Sequence, residues 1–169
     1  MSENISDDGA KRAGERRWFP ARRQLHLVDI ENLAVDPQPS LSRVRHVRDL
    51  YARHVDLGDM DQFEVGASGS RTLENAAFGW PHVHYPVRHG PDGAELALLD
   101  VLGHEDIAGR FRHVVIGSGD GLFADAAASL AAHGVRVTVV SWRGSLSPRL
   151  KLAAHEVIYL DADAEADAA

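Results

Sequence analysis

The stretch Val114-Val115-Ile116-Gly117-Ser118-Gly119-Asp120-Gly121-Leu122-Phe123 decides the fold. Its short apolar run reads as a buried strand, the glycines open a tight turn, and the Ala-rich segment after Phe123 reads as a helix. Such a turn presents an acid, here Asp120, at the carboxyl end of a strand, where open α/β sheets keep their sites. The run Leu25-His26-Leu27-Val28 ends the same way at Asp29, followed by Ile30-Glu31-Asn32.

Outward from these two runs the chain alternates. After the loop Asp36-Pro37-Gln38-Pro39, Ser40 is a cap for an amphipathic helix. Leu41, Val44, Val47, Tyr51 and Val55 recur there at helical spacing, with Arg43, Arg45, Arg48 and Arg53 off the stripe. Residues 62–67 read as a second strand, 72–78 as a short helix and 82–87 as a third strand. A helix then starts near Ala94-Glu95 and is interrupted at Gly103. The stretch quoted first supplies the fourth strand and a helix over 123–133, and 135–140 is the fifth strand. Ser147-Pro148 opens a helix to Ala154, with serine as cap and proline at the first helical position. Residues 157–160 close the sheet. Strands alternating with helices over short connections imply right-handed crossovers, a mostly parallel sheet and a three-layer α/β/α sandwich. The expected strand order, 3-2-1-4-5, sets the first and fourth strands side by side where the winding reverses. Asp29 and Asp120 then face each other across that crevice.

With 169 residues the chain suits one domain, expected over 23–160. A basic arm over 1–22 and an acidic tail over 161–169 flank it. Lys11, Arg12, Arg16, Arg17, Arg22 and Arg23 stand against one acid, Glu15, whereas the last nine residues carry four acids and no base. The net charge of −7 therefore says less about partners than its distribution does. No apolar run approaches a membrane span, and no signal-like stretch opens the chain, so the cytoplasm is the simplest compartment. The absence of cysteine excludes disulfides, thiolate zinc sites and cysteine nucleophiles.

Two carboxylates held close together repel, so a proton or a cation must lie between them. Glu95, near the start of its helix, can reach the same crevice. Three acids with no histidine cage form a hard oxygen donor set that suits Mg²⁺ or Mn²⁺, and metal-assisted phosphodiester hydrolysis is the natural reaction class. Asn32 can orient a water or ligand there without adding charge.

These segments carry a resemblance. Leu27-Val28-Asp29-Ile30-Glu31-Asn32-Leu33, Gly93-Ala94-Glu95-Leu96-Ala97-Leu98, Ser118-Gly119-Asp120-Gly121-Leu122-Phe123, Ser145-Leu146-Ser147 with Leu150, and Val157-Ile158-Tyr159-Leu160 together resemble an NYN domain of the PIN-like (Rossmannoid) ribonucleases, over roughly residues 24 to 160. The resemblance implies a PIN-like fold, a Mg²⁺ or Mn²⁺ site, RNA as partner and RNA cleavage. It assigns metal binding to Asp29, Glu95 and Asp120 and a supporting polar role to Asn32. The chain departs from the family pattern twice: Glu95 stands where aspartate is usual, and Leu122 replaces a second aspartate after Asp120. Asp125, one helical turn on, is a candidate substitute.

Other readings stand beside this one. A domain that binds RNA without cutting it follows from the loss at Leu122. Candidate RNA contacts in either case are Ser118, Arg71, Arg88 and Arg143, and Trp80 and Trp142 are either packed or available to stack on bases. A haloacid-dehalogenase-like phosphatase would use Asp29 as nucleophile, but Glu31 stands where its second aspartate belongs and no lysine lies between Lys11 and Lys151. That same gap excludes a P-loop, and the glycine spacing around Asp120 does not match a dinucleotide fingerprint. His82 and His84 would share a strand face but lack a third zinc ligand at useful spacing. A homo-oligomer is left open.

Overall fold

The computed structural model describes residues 23–104 and 106–162. The expected basic arm and most of the expected acidic tail lie outside the described residues. In chain order the elements are β1 (Gln24–Asp29), α1 (Ile30–Ala34), α2 (Leu41–His54), β2 (Gln62–Gly66), α3 (Ser70–Gly79), α4 (Gly93–His104), α5 (Ile107–Arg110) and β3 (His113–Gly117). After a 3₁₀ turn (Gly121–Phe123) come α6 (Ala124–Ala132) and β4 (Arg136–Ser141). A second 3₁₀ turn (Arg143–Ser145), α7 (Pro148–Ala153) and β5 (Glu156–Tyr159) complete the series.

Every strand pairing is parallel, and the sheet order is β2-β1-β3-β4-β5. Side chains alternate across the strands and build two cores. Leu25, Leu27, Val114, Ile116, Val137 and Val139 face Leu98 of α4, Phe123, Ala127 of α6 and Leu150 of α7. On the other side Val28, Val115 and Val140 face Leu33 of α1, Val44, Val47 and Tyr51 of α2, and Ala76 of α3. Helices on both faces make the three layers. The Ser40 hydroxyl accepts the Arg43 N–H at 3.3 Å and so caps α2 as the sequence suggests. Ser147 makes no side-chain cap.

The expected third strand is corrected. Residues 82–87 lie beside β2 through two isolated parallel bridges, Glu64 with His84 and Ala67 with Val87, so the order is 2-1-3-4-5 rather than 3-2-1-4-5. His84 N–H reaches Phe63 O and Ala67 N–H reaches Pro86 O, but Pro86 has no N–H with which to continue the ladder between them. His82, at φ 66, also leaves extended geometry. Two short helices escape the periodicity argument, α1 and α5, which are too brief to show it. Each begins on an aspartate cap, Asp29 and Asp106.

A buried polar network ties β1 to the opposite end of the molecule from the carboxyl edge. His26, wholly inside, has Nδ1 2.9 Å from the Tyr51 hydroxyl and Nε2 3.1 Å from Asp61 Oδ2, and its ring stacks on Phe63 at 4.2 Å. Burial outweighs the Asp61 carboxylate and pushes the imidazole down to about 4.

Candidate metal and nuclease site

Asp29 has two tasks because it is both the last residue of β1 and the cap of α1. Its Oδ1 accepts the backbone N–H groups of Glu31 at 3.2 Å and Asn32 at 3.1 Å, which satisfies donors that a helix start leaves open. Oδ2 accepts from the Ser118 hydroxyl at 3.4 Å. The whole side chain is buried, and the Glu95 carboxyl of α4 lies against it. α4 can bring Glu95 so close because β2 ends on Gly66, where any side chain would strike Leu98 and the Ala94 carbonyl. Burial first, then the Glu95 charge, raise Asp29 well above the ordinary carboxylate range. Burial also raises Glu95, and the charges of Asp120 and Asp92 add to it.

Asp120 follows β3, the strand beside β1, and its charge acts on Glu95. Its Oδ1 accepts the Leu122 N–H at 2.8 Å and caps the first 3₁₀ turn. The topology thus brings the three predicted acids to one carboxyl edge, with Asp29 and Glu95 in contact and Asp120 near. Leu122 is 45% exposed. Asp125, the candidate substitute for the missing acid, is exposed and paired with Arg149 at 3.0 Å.

The two acid-bearing loops are pinned to each other. Asn32 Oδ1 accepts the Gly119 N–H at 2.9 Å, and the buried Ser118 hydroxyl accepts the Asp120 N–H at 3.2 Å while donating to Asp29. Asn32 and Ser118 are therefore engaged by the protein itself. From the other side, Ser147 N–H donates to Gly119 O at 2.8 Å, and a side chain at 119 would collide with the Ser145 carbonyl and the Ser141 hydroxyl.

Sequence reasoning missed Glu31 as a member of this edge. Its Oε1 accepts both the N–H and the hydroxyl of Ser68, at 2.9 and 2.7 Å, and joins α1 to the end of β2. Its position two residues after Asp29 was the available signal. Glu31, Asn32, Asp36, Ser68, Asp92 and Glu95 line an open groove of about 510 Å³.

The expected RNA-contacting arginines are all exposed but are not gathered into one cluster. Arg71 lies in the first turn of α3, Arg88 pairs with Asp100 at 3.3 Å, and Arg143 lies 4.4 Å over the Tyr159 ring. Trp80 is buried against Tyr51 and Phe63, whereas Trp142 stays partly exposed. His84 sits 3.2 Å from Glu64.

Among the described residues no three of histidine, cysteine, aspartate and glutamate stand close enough together to enclose an ion. The donor chemistry nevertheless fits Mg²⁺ or Mn²⁺. Magnesium keeps several waters and is commonly held by one or two carboxylates plus substrate phosphates, which is what a carboxyl pair with a third acid nearby offers.

The NYN domain model matches residues 27–161 of the chain. No curated protein matches it. Among solved structures, a protein of unknown function from Vibrio parahaemolyticus is similar, at 19% identity and a TM-score of 0.56, covering 86% of this chain and 98% of that one. That likeness is one of fold.

Proposed function

This chain belongs to the NYN domain family, within the PIN-like superfamily, and from that premise we propose that it hydrolyses phosphodiester bonds in RNA with Mg²⁺ or Mn²⁺. The observation that carries the reading is the contact between the Asp29 and Glu95 carboxyls, with Asp120 beside them at the carboxyl edge of adjacent strands. A divalent ion bound at the Asp29–Glu95 pair, with Asp120 nearby, would supply a water of lowered pKa and neutralise charge on a phosphoryl oxygen.

The chain's own residues prepare that chemistry. Ser118 and Asn32 hold Asp29 and the Gly119–Asp120 turn in register. Arg71, Arg88 and Arg143 supply positive charge for the RNA backbone. Ser118, buried between the acids, acts by positioning them. We place the protein in the cytoplasm, as a domain over 23–160 that also permits self-association. Among the described residues no helix is long and apolar enough to cross a membrane.

Leu122 and the engagement of Asp125 by Arg149 favour a second reading, RNA binding without cleavage. One experiment separates the two: Mn²⁺-dependent cutting of single-stranded RNA by the wild type, Asp29→Asn and Asp120→Asn. The nuclease reading expects cleavage by the wild type and none by either folded variant. Binding without cleavage by the wild type establishes the second reading, and release of phosphate from small monoesters would revive the phosphatase.

A further inference from the structure

Glu31 touches the supports of both acids in the contact pair. Its backbone N–H donates to Asp29 Oδ1 at 3.2 Å, while its Oε1 accepts the Ser68 N–H and hydroxyl at 2.9 and 2.7 Å. Ser68 stands between β2 and α3, where its N–H has this carboxylate for a partner rather than a ladder carbonyl. It is also part of the bed on which α4 starts. Gly93, the first residue of that helix, lies so near that a side chain there would come within 3.1 Å of the Ser68 Cα and collide with the Arg88 carbonyl. Gly66 makes the same kind of close approach to Ala94 and Leu98. Glu95 belongs to the first turn of the helix seated in this way.

We propose that Glu31 is a positioning residue of the metal centre: its carboxylate holds Ser68 against Gly93 and so sets how closely Glu95 approaches Asp29. The proposal rests on the divalent-ion reading above and adds what keeps the two ligands at a common distance. Two carboxyls brought side by side without a cation resist the approach, so the helix that carries one of them has to be held in place by other contacts. Glu31 supplies such a contact from the very helix that Asp29 caps. α1, the end of β2 and the start of α4 then form one rigid seat. Groups that orient metal ligands in this way are worth about 10–100-fold in metal affinity. Glu31 lines the groove beside Glu95, but its Oε1 is spent on Ser68, and it acts through position.

The test is Mn²⁺ binding by the full chain, read from the electron paramagnetic resonance of the free ion, so that no cleavage is needed. Glu31→Gln keeps an acceptor oxygen for both Ser68 donors and removes the charge, whereas Glu31→Asp keeps the charge and withdraws the acceptor by one methylene. The expected order is Glu31→Gln close to the wild type and Glu31→Asp about tenfold weaker. Ser68→Ala removes one of the two donors and is expected to weaken binding several-fold, and it decides the matter if Glu31→Asp fails to fold. Thr138→Val removes the hydroxyl 2.8 Å from Nε2 of His113, the first residue of β3. It is expected to lower stability while binding Mn²⁺ as the wild type does, which separates position from general loosening. The reverse order, with Glu31→Gln weak and Glu31→Asp intact, shows that the charge acts on the ion directly and overturns the proposal while the ion reading stands. Equal affinity in the wild type, Glu31→Asp and Ser68→Ala also overturns it, as does equal weakening in Thr138→Val. No Mn²⁺ binding by the wild type removes the divalent-ion reading and the proposal with it.

Discussion

The Asn32 amide oxygen holds the Gly119 N–H at 2.9 Å across 87 residues of chain, and this bond aligns the two acid-bearing turns. Asn32→Ala leaves that N–H without its acceptor in a half-buried place. An unsatisfied donor of this kind costs about 1–3 kcal/mol. Urea unfolding is expected to show a midpoint lowered accordingly, and Asn32→Asp, which keeps an acceptor oxygen, to recover most of it.

Glu95→Gln removes the negative charge that presses against Asp29. In EDTA the variant is expected to be more stable than the wild type by about 1 kcal/mol, the usual direction when a strained functional acid is neutralised. Added Mn²⁺ reverses the ranking, because a ligand at about a hundred times its dissociation constant stabilises the wild type by about 2.7 kcal/mol. Thermal melts with and without Mn²⁺ read both effects. An unchanged wild-type melting temperature across the Mn²⁺ titration would count against the ion site.

Gly119→Ala drives a methyl group into the Ser145 carbonyl and the Ser141 hydroxyl. Overpacking of this sort costs about 1–3 kcal/mol, and the turn must shift to relieve it. The expected result is a folded protein with lower stability whose cleavage falls far more than its RNA binding, since the displaced atoms carry Asp120. Single-turnover cleavage beside a binding titration checks it.

His26 sets an acid limit on stability. Its pKa lies at about 4 in the native protein against an ordinary 6.5, so between those values the unfolded chain takes up a proton that the native one refuses. Stability from this residue is fully present above pH 6.5 and declines as the pH falls toward 4, by about 3 kcal/mol in all. Chemical denaturation of the wild type and His26→Gln over this range isolates the effect. The gap between the two stabilities should narrow as the solution is acidified. A constant gap would show that His26 is protonated inside the fold.

The alternating layout was readable because strands β1, β3 and β4 are nearly unbroken Val, Ile and Leu runs and α2 keeps a regular apolar stripe. Residues 82–87 have the composition of a strand, but proline at one ladder position breaks the pairing, and composition alone does not show which N–H a ladder needs. The approach of Asp29, Glu95 and Asp120 followed from topology, since each stands at the end of a strand or the start of the helix that crosses back over it. The Glu31 bond to Ser68 was hidden. It depends on which way side chains turn after the layers pack, and no periodicity encodes that.

Proline at 86 also bears on how the molecule behaves among its own copies. β2 is a margin of the sheet, and a fully paired neighbour at residues 82–87 would itself present an orderly row of groups for another chain to zip onto. Two bridges with a gap between them screen β2 while offering no template for growth at that margin of the sheet.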